Sequence, residues 1–170
     1  MPKKNKFKKI NDNFIETGSY LGDGIRLAIE SGFKNIISIE LSENYFNKCK
    51  ETFKNNQNVN IILGDSYYKL SSILKNNNLR YTYWLDGHYS GGDTANGVLE
   101  FPIMEELEVI LKRNVSGEII YIDDMRILRD YSKEININSI KKIVEKHKTG
   151  SNVYFEPSDL DNEDIMVIEY

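Results

Sequence analysis

The stretch from Phe14 to Gly24, which reads FIETGSYLGDG, constrains the fold of this chain more than any other part. A short apolar run ends at Glu16, a glycine-rich turn follows, and a helical pattern begins at Ile25. A strand, a tight turn and a helix in this order open the nucleotide-binding sheets of α/β proteins. The stretch therefore predicts a ligand site at the end of a first buried strand.

The glycines of this turn are spaced in a way that narrows the choice of ligand. Gly18, Gly22 and Gly24 do not have the G-x-G-x-x-G spacing of dinucleotide-binding proteins. A residue without a Cβ atom can adopt positive φ, and its backbone can approach a ligand closely. The amides at the start of the following helix would then face that ligand.

Composition sets the size and the setting of the protein. A chain of 170 residues predicts one domain, and 40% hydrophobic with 28% charged residues is ordinary for a globular protein. The net charge of -4 argues against a nucleic-acid partner. No apolar run is long enough for a membrane span or a secretion signal, and the single Cys49 fits a reducing compartment. We therefore expect a cytoplasmic protein with no membrane partner.

The order of apolar patterns predicts the fold. Residues 1–12 are basic and are expected to form a flexible tail, and residues 13–170 a single domain. Five apolar runs alternate with helical patterns, and two further strands follow nearly back to back. We predict an α/β, Rossmann-like, doubly wound sheet of seven strands, mostly parallel with one antiparallel strand, and helices on both faces. The strands are expected at Phe14–Glu16, Asn35–Leu41, Val59–Leu63, Tyr81–Leu85, Glu118–Ile122, Val153–Glu156 and Ile165–Glu169.

An acidic residue follows or closes each of the first five strands. Any one of them could be a helix cap or a turn residue. The carboxyl ends of parallel strands meet at one edge of the sheet, where such folds bind ligands, so we expect the acids to share a site. They are Glu16, Glu40, Asp65, Asp86 and the pair Asp123–Asp124.

With these residues, the chain resembles a class I S-adenosylmethionine-dependent methyltransferase from about Phe14 to Tyr170. The resemblance implies that Glu40 accepts hydrogen bonds from the ribose hydroxyls of the cofactor and that Asp65 lies near its adenine amino group. The residues that it assigns to cofactor binding are Glu16, Gly18, Ser19, Tyr20, Gly22, Gly24, Glu40, Asp65, Ser66 and Asp86. A dinucleotide-binding oxidoreductase would also place an acid after its glycines, and is the competing interpretation of this half of the chain.

A second group of acids resembles the metal site of magnesium-dependent O-methyltransferases of the catechol type, and also small sugar- and antibiotic-modifying methyltransferases. Asp86, Asp123 and Asp124 are the predicted ligands of Mg²⁺ or another divalent cation. Converging carboxylates repel one another, and hard oxygen ligands favour such ions. The alternative is that Asp124 caps the next turn and Asp123 alone faces the cleft.

Asp86 and His88 are the predicted catalytic residues, with His88 as proton acceptor because its ordinary pKa lies near neutral. The catechol type has a lysine where this chain has Tyr89, so the identity of the base stays open. The polar loop from Tyr89 to Gly97 is expected to cover the substrate, and Arg126 to pair with an anionic group of it.

The expected reaction is methyl transfer to an oxygen of a small hydroxylated acceptor, assisted by a divalent metal or not. A non-catalytic S-adenosylmethionine-binding module, a Rossmann-fold enzyme of another class, and a macromolecular acceptor are the alternatives. Little sequence precedes the first strand, so the acceptor site is expected to be open or completed by another subunit, and a homo-oligomer is left open.

Overall fold

A computed structural model of the protein describes residues 6–87, 99 and 101–170. In this part of the chain, strands and helices alternate from residue 13 onward. The strands are β1 Asn13–Thr17, β2 Asn35–Glu40, β3 Val59–Leu63, β4 Thr82–Leu85, β5 Ile119–Ile122, β6 Asn152–Glu156 and β7 Ile165–Glu169. The helices are α1 Asp23–Glu30, α2 Glu43–Thr52, α3 Ser66–Leu74, α4 Ile103–Leu111, α5 Met125–Leu128 and α6 Ile137–His147.

The seven strands form one sheet in the order β3-β2-β1-β4-β5-β7-β6. Strands β1 to β5 pair in parallel, whereas β7 is antiparallel to both β5 and β6. The predicted fold class is confirmed. The chain order reverses between β1 and β4, so the carboxyl ends of these two strands form the crevice where open α/β sheets bind ligands.

Alternation along β1 assigns its side chains to the two faces of the sheet. Phe14 belongs to an apolar cluster with Ile25 and Ala28 of α1, and Ile15 belongs to a second cluster with Leu107 and Ile110 of α4. Helices therefore cover both faces, which is why these strands read as continuous apolar runs in the sequence.

The segment before β1 corrects the predicted tail. Phe7 is 3% exposed and its ring packs against those of Phe14, Trp84 and Tyr121 at centroid distances of 4.9 to 5.3 Å. The amide of Lys8 also donates to the hydroxyl of Tyr121. The prediction of a flexible tail over residues 1–12 is thus wrong from Phe7 onward, because burial of an aromatic ring anchors the segment.

Two further findings concern the helices. The short helix α5 was not predicted, since a single helical turn carries no measurable periodicity. Among the described residues, no helix has both the length and the apolar character that crossing a membrane requires.

Candidate functional site

The turn after β1 owes its glycines to neighbouring protein atoms. Gly18 has φ 84°, and a Cβ atom there would lie 2.4 Å from the carbonyl oxygen of Asp86. Gly22 has φ 83°, and a Cβ atom there would lie 2.4 Å from the ring of Phe53. Both residues must be glycine because of their φ and because the protein closes tightly around the turn. The turn is thereby held against the end of β4.

Gly24 and Glu16 fit together in the same way. A Cβ atom on Gly24 would lie 1.8 Å from Oε1 of Glu16, whose side chain is fully buried beneath α1. Oε2 of Glu16 accepts from the hydroxyl of Ser38 at 2.5 Å, and Oε1 has no hydrogen-bond partner in the described part of the chain. Burial, with a smaller effect of the nearby Glu40 charge, raises the pKa of Glu16 to about 8. The structure places Glu16 inside the protein, beneath the glycine turn.

Glu40 fixes the turn from the end of β2. Its Oε2 accepts from the amides of Ser19 and Tyr20, each at 2.9 Å, and its Oε1 accepts from the amide of Ser42 at 2.7 Å. A carboxylate offers about four acceptor positions, so three are taken by backbone and about one is left for a ligand hydroxyl. Glu40, the residue predicted to bind the ribose of the cofactor, is therefore held in one orientation.

The predicted cofactor residues within the turn have different surroundings. The hydroxyl of Ser19 is buried and hydrogen-bonds that of Ser38 at 2.6 Å. Ser19 is therefore linked to the crevice through its amide, which donates to Glu40. Tyr20 is in the left-handed region at φ 45°, is 51% exposed, and packs on Tyr45 at 4.7 Å between ring centroids.

Asp65 lies between β3 and α3, and Ser66 is the first residue of α3. Oδ1 of Asp65 accepts from the amide of Tyr67 at 2.9 Å, which makes Asp65 the N-cap of α3. The side chain of Ser66 is buried, and its hydroxyl is one of two that counteract the raised pKa of Glu106. Asp65 thus has the capping role that the sequence allowed as its alternative, at the position expected for an adenine ligand.

Asp86 follows β4, directly across the crevice from the glycine turn. Its amide donates to the carbonyl of Thr17 at 3.1 Å. Burial, and then the charges of Asp123 and Asp124, raise its pKa well above the ordinary value. The predicted base His88 and the loop from Tyr89 to Gly97 lie outside the described residues.

The acids that follow β5 are joined by one that the sequence did not single out. Ligand atoms of Asp123, Asp124 and Asp164 all lie within 4.8 Å of one another. Asp86, the third predicted metal ligand, is not in this group. Asp164 precedes β7, and the antiparallel pairing of β5 with β7 brings it to the acids. Asp164 is far from Asp123 and Asp124 in the sequence, so its place in this group could have been predicted only from the pairing of β5 with β7.

The guanidinium of Arg126 already pairs with two of these three acids. Arg126 Nη1 pairs with Asp124 and with Asp164 Oδ2, the latter at 2.5 Å. Asp164 is fully buried and also accepts from the amide of Arg126 and the hydroxyl of Ser158. The expectation that Arg126 faces a substrate anion is not met, because two carboxylates of the protein hold it. A metal ion shared by Asp124 and Asp164 would have to displace it.

Glu106 of α4 is a site residue that the sequence analysis missed. It is 2% exposed, and its Oε1 has no hydrogen-bond partner among the residues that the structure describes. Burial raises its pKa to about 7, although the hydroxyls of Ser66 and Thr17 partly offset this. The signal was present: Glu106 is three residues after Ile103 and one before Leu107, on the apolar face of the helix.

Glu106 faces the end of β4 across a small cavity. A Cβ atom on Gly87, the residue after Asp86, would lie 3.5 Å from Glu106 Oε1. The cavity is about 10 Å³ and is lined by Leu85, Gly87, Phe101, Pro102, Ile103, Glu106, Asp123 and Leu128. Carboxylates from α4 and β5 therefore meet beside the predicted transfer position.

Comparison with known proteins identifies the fold. No family model and no curated protein match the chain. Among solved structures, the S-adenosylhomocysteine-bound Podospora anserina methyltransferase PaMTH1 is 17% identical, with TM-score 0.62, and the match covers 94% of this chain and 71% of that one. The O-methyltransferase from Bacillus cereus in complex with S-adenosylhomocysteine is 14% identical, with TM-score 0.65 and coverage of 94% and 74%.

An S-adenosylmethionine-dependent methyltransferase from Mesorhizobium loti is also similar, at 11% identity, TM-score 0.53 and coverage of 92% and 88%. At these identities the likeness concerns the fold alone. The chain has the fold of class I S-adenosylmethionine-dependent methyltransferases, with the strand order and the antiparallel β7 described above.

Proposed function

We propose that the protein transfers a methyl group from S-adenosylmethionine to an oxygen of a small hydroxylated acceptor. The observation that carries the proposal is the clamp formed by Glu40 and the glycine turn at the crevice between β1 and β4. One carboxylate holds the amides of Ser19 and Tyr20 and keeps an acceptor position for a hydroxyl group. The structures with S-adenosylhomocysteine that share this fold support the choice of cofactor.

The residues of the turn and of the neighbouring strand ends fit such a cofactor. Bound S-adenosylmethionine supplies an electrophilic methyl group on a positively charged sulfur. Glu40 orients the ribose, and Asp65 lies at the end of β3 where an adenine amino group would reach its carboxylate. Asp86, Asp123 and Glu106 bring three carboxyl groups to the opposite side of the crevice, and a cationic donor beside them would favour their charged forms over the neutral forms that burial favours.

Asp86 is the described residue best placed to accept the proton of the acceptor hydroxyl. Burial and the nearby acids raise the pKa of its carboxyl, which makes the carboxylate a stronger base. In the proposed reaction, the acceptor oxygen loses its proton to Asp86, or to His88, and forms a bond to the methyl carbon as the carbon–sulfur bond breaks. Positioning of the two reactants in line supplies most of the acceleration.

A divalent ion held by Asp86, Asp123 and Asp124 is the metal-assisted form of this proposal. Burial, and then the charges of neighbouring acids, raise the pKa of Asp86 and, to about 7, that of Asp123. A cation would offset both effects, which supports this form of the proposal. The ion pair of Arg126 with Asp124 weakens it. Such an ion would lower the pKa of a bound acceptor hydroxyl.

The test is a transfer assay with S-adenosylmethionine labelled at the methyl group and a panel of hydroxylated acceptors, with and without Mg²⁺ and a chelator. The proposal predicts label in one acceptor class as an ether and matching release of S-adenosylhomocysteine. Label on nitrogen or carbon would contradict O-methylation. Tight cofactor binding with no transfer to any acceptor would favour a non-catalytic module, and chelator-insensitive turnover would remove the metal-assisted form.

A further inference from the structure

The cavity between α4 and the ends of β4 and β5 has mixed walls. Leu85, Phe101, Ile103 and Leu128 supply apolar surface, while Glu106 and Asp123 supply carboxylates. Its volume of about 10 Å³ is the size that one water molecule or one group of similar size needs. The cavity adjoins Gly87, so a group bound there would lie next to Asp86.

Both carboxylates have an oxygen that the described residues do not satisfy. Glu106 and Asp123 are each 2% exposed, and within the described part of the chain Oε1 of Glu106 and Oδ1 of Asp123 have no hydrogen-bond partner. A buried acceptor without a donor costs free energy, so these two oxygens call for donors that the described residues do not supply.

The charge around the cavity specifies which donor fits. None of the described residues that line it carries a positive charge. Arg126, which follows Asp123 by three positions, is engaged by Asp124 and Asp164 instead. A cationic donor would therefore satisfy the two oxygens and balance their charge at the same time.

We propose that this cavity binds an ammonium group of the methyl acceptor, between Glu106 and Asp123, so that the acceptor is an amine-bearing hydroxylated compound. The inference rests on the proposed function. An ammonium group has three donors and no acceptor, and its size matches the cavity. The apolar walls suit the carbon atoms that carry it. A hydrated divalent ion is too large for the space, because Mg²⁺ gives up its waters reluctantly.

The test uses a matched pair of small probes, n-butylamine and 1-butanol, titrated by ligand-observed NMR into the full chain with S-adenosylhomocysteine present. The amine is charged at neutral pH. We expect it to bind at least about tenfold more tightly than the alcohol, as one charged hydrogen bond provides. Equal binding of the two probes, or tighter binding of butanol, would overturn the proposal.

Three variants locate the site. Glu106→Gln and Asp123→Asn should each weaken butylamine about tenfold and leave butanol unchanged. Glu108→Gln is the matched control, since Glu108 is on the same helix but pairs with Lys112 and His147 away from the cavity. Amine binding that survives both cavity variants would overturn the proposal, and thermal unfolding of each variant checks that it is folded.

Two further arms separate this proposal from its neighbours. If Mg²⁺ displaces butylamine and only Asp123→Asn abolishes that effect, the site belongs to a metal and the ammonium assignment is wrong. Binding of S-adenosylhomocysteine is recorded in the same samples. Loss of that binding in the unmodified chain would defeat the proposed function, whereas cofactor binding without amine selectivity would defeat only the present inference.

Discussion

The two halves of the carboxyl edge of the sheet differ in how their acids are satisfied. In the half formed by β1 and β2, Glu40 accepts three backbone amides and holds the glycine turn in place. In the half formed by β4, β5 and α4, Glu106 and Asp123 each keep an oxygen for which no described residue supplies a donor, and burial raises the pKa of each to about 7. The clamp of Glu40 on the glycine turn, which makes the first half the completed one, is formed before a ligand arrives, although Oε1 of the buried Glu16 beneath it has no donor among the described residues. The second half awaits a ligand.

The largest effect should come from breaking the completed half. In Glu40→Gln, one of the two oxygens becomes an amide nitrogen, which must face backbone amides that also donate. We expect the affinity for S-adenosylhomocysteine to fall by about 100-fold, the worth of charged hydrogen bonds, as measured by calorimetry. Glu43→Gln, in the first turn of α2, is the control and should bind normally. Unchanged affinity in Glu40→Gln would mean that Glu40 does not help to hold the cofactor and that the two halves do not differ as described.

The glycine turn permits a matched test of packing. Gly22 and Gly150 have nearly equal φ values of 83° and 80°, but a Cβ atom on Gly22 would meet Phe53 at 2.4 Å, whereas on Gly150 it would meet nothing within 4 Å. Gly150→Ala should cost about 1 kcal/mol of backbone strain, and Gly22→Ala about 1–3 kcal/mol more. Urea unfolding measures both. Equal costs would mean that Phe53 moves aside and that the turn is not held as described.

Replacement of Arg126 shows whether Asp124 and Asp164 need a positively charged side chain of the protein beside them. Arg126→Gln leaves Asp164 buried without its guanidinium and should lower the free energy of unfolding by about 2 kcal/mol. Arg129→Gln breaks a more exposed pair with Asp161 and should cost less than about 0.5 kcal/mol. If Mg²⁺ restores the stability of Arg126→Gln, a metal can replace the guanidinium, which would sharpen the metal-assisted form.

The smallest effect concerns pH. Glu106 binds its proton more tightly when folded, with a pKa of about 7 against 4.5 for the ordinary value, so its contribution to stability falls as pH rises from about 4.5 through 7. Glu106→Gln lacks this loss. Relative to the unmodified protein, it should gain about 1 kcal/mol between pH 5 and pH 6 in urea unfolding. A constant difference across this range would show that burial does not perturb Glu106.

The sequence was sufficient for the strands, and its failures have physical reasons. The apolar runs locate Val59–Leu63 and Ile165–Glu169 to the residue. Strand β7 is buried and carries an almost unbroken apolar signal, whereas the half-exposed edge strand β3 is marked by the polar turn before it and by Gly64 after it. Phe7 was missed because one aromatic residue among lysines has no periodicity, although three rings enclose it.

The candidate site was harder to predict than the strands. The acids Glu16, Glu40, Asp65, Asp86 and Asp123 could be predicted because each one closes or follows a strand that the apolar pattern locates. Asp164 and the ion pair of Arg126 depend on the pairing of β5 with β7, which the sequence placed only in outline. Glu106 was overlooked because charged residues on a helix are usually solvated, and only its position on the apolar face marked it as buried.

We infer that the completed half of the edge holds S-adenosylmethionine. The decisive measurement is calorimetric titration of the unmodified protein with S-adenosylhomocysteine and, separately, with NAD⁺ at the same concentrations. The clamp at Glu40 and the spacing of Gly18, Gly22 and Gly24 predict saturable binding of one S-adenosylhomocysteine per chain and no saturable binding of NAD⁺. Saturable binding of NAD⁺ with no heat from S-adenosylhomocysteine would contradict the account.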